Sequence, residues 1–269
     1  MTDHKRGGAD HRHIVVTERD RRLLGYVARF RLMSRDQVMA LAPFGSLTRA
    51  NTRLAALVRA GLLARKLLPV YPGRGSVQAL YHLGKLSRGI VNAEPSFVER
   101  QVRQIARWDS RQTAHVVAAN QVVVDFLAAL DRSDGANADL RTETELRQMF
   151  HDRPLVPDGW LAWTHDGKRF NAFVEADLGT EGLLAWRRKV VNYLQYAESD
   201  AHAEHFGLRS FRVLVVAGSC QRLRHLREVS ESAGRLFLFA QMRGVNRENF
   251  FDPIWLPAKG AHPIGLAEA

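Results

Sequence analysis

Between Val156 and Ala217 the chain switches repeatedly between strand-like and helix-like patterns. Val156 to Trp163 and Phe170 to Ala176 are apolar runs of strand length, joined through the tight turn His165-Asp166-Gly167. Leu183 to Tyr196 then carries a helical repeat. Phe211 to Ala217 is nearly all apolar, as a strand covered on both faces must be. A helix over Ala114 to Leu130, the loop 133–137 and a strand over Leu140 to Leu146 come before. A basic helix over Gln221 to Ser232 and a strand over Leu236 to Ala240 follow. The predicted order is α-β-β-β-α-β, an α/β (α+β) unit with a mixed sheet sandwiched by helices.

The upstream part reads differently. Thr17-Glu18-Arg19-Asp20 is a capping signal, followed by Leu23, Leu24, Val27 and Phe30 at helical spacing. Ser34-Arg35-Asp36-Gln37 opens a second, short helix that Pro43 stops. A third helix runs from about Leu47 to Ala60, with Leu54, Leu57 and Val58 inward and Gly61 at its end. Leu62 to Leu68 and Val77 to Leu83 read as a hairpin around Tyr71-Pro72-Gly73-Arg74-Gly75-Ser76. Three helices followed by a two-stranded hairpin is the order of a winged helix-turn-helix. Its third helix would be the recognition helix, offering Thr48, Arg49, Asn51, Thr52 and Arg53, with Arg74 at the wing tip. The alternative use of the same module is protein contact, with solvated arginines. The expected division is a tail over 1–16, the winged helix over 17–87 and a linker or helix over 88–113. A second domain over 114–245 and an irregular C-terminal stretch over 246–269 complete it.

The net charge of +11 is concentrated in the first part. Residues 1–110 hold 20 Lys and Arg against 8 Asp and Glu, whereas residues 111–269 hold 19 against 20. Confinement of the excess to one module points to a polyanion, and double-stranded DNA is the expected partner. The lone cysteine, Cys220, excludes an intrachain disulfide and a cysteine-based zinc site. No unbroken apolar run approaches the roughly 20 residues that span a bilayer. The expectation is a cytoplasmic protein without a membrane partner.

Pro157-Asp158, Glu175-x-Asp177 and Lys189 form the second signal. Asp158, Glu175 and Asp177 fall on neighbouring strand ends, with Lys189 on the next helix. Mg²⁺ or Mn²⁺ takes oxygen ligands, so Asp158 and Glu175 with the Ala176 carbonyl are candidate metal ligands. Such a metal would activate water and offset charge on a phosphate, and Lys189 would orient either one. Asp177 either joins this set or caps the loop before Thr180-Glu181, and Glu143 and Glu145 on the expected first strand are further ligands. The plain reading of Pro157-Asp158-Gly159 is a β-turn. Tyr193 and Tyr196 read as packing residues, and His202 with His205 as part of a solvated loop. Arg222, Arg224 and Arg227 on one helix either hold phosphate or face water.

The order and motifs over about residues 114–240 resemble the PD-(D/E)xK restriction-endonuclease-like fold, with Asp177 where the motif lysine belongs. Across residues 17–216 the chain resembles the replication-relaxation family of plasmids and mobile elements. That resemblance rests on Thr17-Glu18-Arg19-Asp20, Arg53-Leu54, Gly61-Leu62-Leu63, His115, Pro157-Asp158-Gly159, Glu175 to Glu181, and Lys189 to Tyr193. It implies a DNA-binding protein acting in plasmid replication, DNA relaxation or transfer. Catalysis would be that of a Mg-dependent endodeoxyribonuclease using Asp158, Glu175, Asp177 and Lys189. The alternative is a non-catalytic regulator with a degenerate nuclease-like dimerisation domain. A homodimer and contacts with replication or transfer proteins fit both.

Overall fold

The structure, a computed structural model, describes residues 14–68, 78–92, 94–132 and 138–267. It is an α+β chain that divides into two compact units, Met1–Ser110 and Arg111–Ala269.

In the first unit, α1 (Glu18–Phe30), β1 (Met33–Ser34), α2 (Arg35–Leu41), α3 (Leu47–Arg59), β2 (Leu63–Leu68), β3 (Gln78–Leu83) and α4 (Pro95–Arg107) follow in order. Local chemistry starts each of the first three helices. The Thr17 N–H donates to the Asp20 carboxylate at 2.8 Å and the Asp20 N–H returns to the Thr17 hydroxyl. Ser34 and Gln37 repeat the device at α2, and the Ser46 hydroxyl accepts the Arg49 N–H at α3. Gly61 ends α3 with φ +68°, a left-handed turn that favours glycine. The sheet order is β1-β3-β2, both pairings antiparallel. Leu23, Leu24, Val27, Leu54, Leu57, Leu80 and Leu83 are buried. At the end of β3 the backbone of Gly84 passes so close to α3 that an added Cβ would lie 2.2 Å from the Gly61 carbonyl oxygen.

The stretch expected as a linker or helix over 88–113 is mostly α4, and it is tied down. Val98, Gln101 and Ile105 are buried. Lys66 on β2 donates to the carbonyls of Ile105 and Trp108 at 2.8 and 2.9 Å, placing a cation on the last carbonyls of that helix. Arg74 lies outside the described residues.

In the second unit, α5 (Ser110–Arg132), β4 (Asp139–Thr142), α6 (Glu143–Met149), β5 (Gly159–His165), β6 (Lys168–Asp177), α7 (Leu183–Glu198), α8 (Ala201–Phe206), β7 (Arg212–Ala217), α9 (Cys220–Val229), β8 (Phe237–Gln241) and β9 (Leu256–Pro257) follow. The sheet order is β4-β5-β6-β7-β8-β9. β6, β7 and β8 run parallel, joined by crossovers through α7–α8 and α9, and the other pairings are antiparallel. Rings from strands and helices interlock in the core. Phe173 lies 5.0 Å from Phe211, and Phe126 of α5 lies 5.8 Å from Trp163, both edge to face. α5 is long and apolar enough to cross a membrane by length and composition, yet 67% of that stretch is buried in the protein. Asn120, Gln121 and Asp125 interrupt it, which hides it from a search for unbroken apolar runs.

Two expectations change here. The strand predicted over Leu140 to Leu146 stops at Thr142, because Thr142 and Glu145 form a capping box that starts α6. The C-terminal stretch is structured, with Trp255 fully buried and Leu256–Pro257 paired to β8.

Candidate functional site

In the first unit, α3 buries Ala50, Leu54 and Leu57 and turns Thr48, Arg49, Asn51 and Thr52 outward. Arg53 is different. Its Nε donates to Asp20 at 3.0 Å, and a terminal nitrogen bonds both Asp20 and the Val15 carbonyl. Asp20 is fully buried. Burial works to raise its pKa, but the Arg53 and Thr17 hydrogen bonds prevail and hold it below the ordinary value. Arg53 therefore joins α3 to α1, a bracing role that its expected place among the DNA contacts did not include.

In the second unit, Asp158 sits one residue before β5, beside β6. Its N–H donates to the Val174 carbonyl at 3.0 Å, and its Oδ2 accepts the Ala176 N–H at 2.8 Å. The side chain thus takes up a backbone donor at the strand end, and its other oxygen pairs with His115 Nε2 of α5 at 2.9 Å. That hydrogen bond raises the His115 pKa to about 9 against the opposing effect of burial. The pairing favours the protonated ring.

Glu175 lies within β6 and is buried. Tyr193 donates to its Oε1 at 2.6 Å and Lys189 to its Oε2 at 2.8 Å. The two donors are four residues apart on α7, hence on one face of that helix. Burial pushes the Glu175 carboxyl up, with Lys189 opposing. Burial works against the Lys189 ammonium, but Glu175 and Asp158 outweigh it and raise its pKa. The Tyr193 hydroxyl is raised well above its ordinary value by burial and by Glu175. Lys189 also stands 3.8 Å from Glu181.

Asp177 ends β6 on the same face as Glu175. Arg222 of α9 grips it with two bonds of 2.7 Å, the Gly179 N–H donates to it at 2.7 Å, and Arg222 also reaches the Glu181 carbonyl. Asp177 is therefore a loop fastener and Arg222 its partner, neither facing water alone. Arg227 bonds the carbonyls of Pro257 and Gly260, while Arg224 is exposed. Glu145 serves as the cap of α6 and Glu143 pairs with Arg147 at 2.7 Å, both on a helix and not on a strand. His202 is buried on α8 with Nε2 on the Asn171 side-chain oxygen Oδ1, and His205 meets the Tyr196 hydroxyl. The solvated loop expected there is a packed helix.

The structure brings Asp158, Glu175 and Lys189 into one cluster and adds His115 and Tyr193. Tyr193, expected as a packing residue, could have been found from its i,i+4 spacing to Lys189. His115 entered the sequence reading only through the family resemblance, with no role given to it; its other signal was that of a polar residue in an apolar helix. The expected Mg²⁺ or Mn²⁺ does not fit this arrangement. All four oxygens of Asp158 and Glu175 already accept hydrogen bonds, and two of the donors are cations. Among the described residues no group of three or more His, Cys, Asp or Glu side chains is placed to hold a metal ion.

No curated protein and no solved structure matches the chain. A family model does: the replication-relaxation model matches residues 24–210, well over half the chain, taking in α2, α3, the Asp158 turn, β6 and the clamp on α7. On that match, the chain belongs to the replication-relaxation family.

Proposed function

We propose that this protein binds duplex DNA during replication or relaxation of a plasmid or other mobile element, through a winged helix in its first unit. The carrying observation is α3, which presents Arg49, Asn51 and Thr52 outward from a unit holding 20 Lys and Arg against 8 Asp and Glu. Such side chains contact phosphates and base edges when a helix enters the major groove. The helix and strand order of that unit, with a three-stranded sheet beside α3, supports the winged-helix reading. The second unit, a PD-(D/E)xK-like sandwich in this reading, holds Asp158 and Glu175 in internal pairs and serves binding or assembly.

Fluorescence anisotropy of the full chain on a labelled duplex, taken across a salt series, tests this. Arg49→Gln lowers affinity and flattens the log–log salt slope by about 0.9, the value for one lost phosphate contact. An unchanged slope removes Arg49 from the interface, and absence of binding at low salt sinks the reading.

A second reading, strand nicking by the second unit, draws on Asp158, Glu175 and Lys189 lying in one cluster in the motif's order, and requires the Lys189–Glu175 pair to open for a metal. Supercoiled plasmid incubated with Mg²⁺ or Mn²⁺ separates the two. Relaxed circles that vanish in Asp158→Asn with Glu175→Gln establish nicking, and plasmid left supercoiled by the wild type retires it.

A further inference from the structure

The polar cluster of the second unit has an inside and an outside. Its two carboxylates are the buried members: the side chain of Glu175 is 3% exposed and that of Asp158 10%. Its two cations are the outer members, Lys189 at 26% and His115 at 38%. Each cation thus lies nearer solvent than the carboxylate it pairs with, and the more exposed Glu181 stands 3.8 Å from Lys189. Asp158 accepts from His115 and from the Ala176 backbone, and Glu175 from Lys189 and Tyr193.

A divalent cation needs the opposite arrangement. Mg²⁺ demands near-octahedral oxygen donors at short range, and the donor oxygens must face it without competing protons. Here the positions next to both carboxylates are already held by an imidazole nitrogen and an ammonium. A dication placed between them would be repelled by both, in a setting where burial weakens the solvent's screening. The pairs also meet the general requirement on buried carboxylates, that each be compensated by an opposite charge or by hydrogen bonds. The compensation comes from the chain itself.

We infer that His115 and Lys189 are built-in counter-cations that stand where a metal ion would, so that the Asp158–Glu175 cluster is neutralised from within and takes no divalent cation. This goes beyond the DNA-binding reading and speaks against the nicking reading. Its failure is separable, since DNA binding is measured in chelator and metal binding without DNA.

The probe is Mn²⁺ alone, titrated into the full-length chain at neutral pH with the free ion followed by electron paramagnetic resonance. The wild type is expected to show no saturable site tighter than about 1 mM. The variant carrying His115→Ala and Lys189→Ala is expected to gain one site, at least roughly tenfold tighter, which Asp158→Asn then removes. A wild-type site that Asp158→Asn or Glu175→Gln abolishes overturns the inference. A folded double variant, checked by circular dichroism, that gains no site also overturns it, because other groups would then be excluding the metal. Should the double variant fail to fold, His115→Ala alone carries the same test at the more exposed pair, and the wild-type and Asp158→Asn arms still decide.

Discussion

Replacing Arg53 with Met tests whether this arginine braces α3 or touches DNA. Arg53 closes on a carboxylate with no exposed surface and also ties the Val15 carbonyl. Taking one partner from a buried pair generally costs about 3–5 kcal/mol, because the other charge is stranded. The low end applies here. Thr17 keeps donating to Asp20 through its N–H and hydroxyl at 2.8 and 2.7 Å, and the abandoned carboxyl can take up a proton. The expected loss is therefore about 3 kcal/mol, or roughly 100-fold faster hydrogen exchange at the protected amides of α1 and α3. Asp20→Asn removes the deeper partner, but Arg53 is partly exposed and can turn to water, so its expected cost is smaller, about 1–2 kcal/mol including the weakened cap. Hydrogen exchange followed by mass spectrometry on the full chain reads both variants without assuming that its two units unfold together. DNA binding supplies the second arm. A brace that is lost lowers affinity at every salt concentration and leaves the salt slope alone. Unchanged exchange in Arg53→Met with a slope flatter by about 0.9 would refute the reasoning and return Arg53 to the phosphate contacts.

Other outcomes follow from single positions. His202 has its pKa lowered to about 4 by burial against an ordinary 6.5, so the folded chain refuses a proton that the unfolded chain accepts. Its contribution is fully present above about pH 6.5 and is lost progressively toward pH 4, on the order of 3 kcal/mol, and urea melts of wild type and His202→Phe should diverge in that window. Gly84→Ala sets a methyl 2.2 Å from the Gly61 carbonyl oxygen, and the forced shift is expected to cost about 1–3 kcal/mol, read as faster exchange in β2 and β3. Tyr193→Phe leaves the Glu175 Oε1 without its 2.6 Å donor; the expected loss is about 1–3 kcal/mol in urea, and equal midpoints would show that the hydroxyl contributes nothing.

How far the sequence reached depends on how local the cause was. The starts of α1 and α2 and the end of α3 were legible because Thr17–Asp20, Ser34–Gln37 and Gly61 act within one turn. The alternation of apolar segments likewise announced β5, β6, α7 and β7. The false extension of the first strand in the second unit came from reading Leu140 to Leu146 by hydrophobicity and passing over Thr142–Glu145, a capping signal as local as the others. What stayed hidden was partnership over distance. Arg53 finds Asp20 from 33 residues away and His115 finds Asp158 from 43. No periodicity distinguishes an arginine that turns inward from one that turns outward. Strand order was enough to put Asp158, Glu175 and Lys189 in one neighbourhood, but their protons and ion pairs, which decide between a metal and a closed cluster, depend on burial that the sequence does not print.

The clamp of Lys189 and Tyr193 on Glu175 also bears on how α7 finds its angle. Apolar side chains forgive rotation, since a leucine-sized group that leaves one hollow finds another nearby. A helix turned by a single residue swings its side chains about 100°. Such a turn would carry the ammonium and the hydroxyl off together and strand a carboxylate with almost no access to water. The trio therefore works as an indexing pin on the crossover from β6 to β7: the oily surfaces bring helix and sheet into contact, and three polar atoms choose the one orientation that keeps them all satisfied.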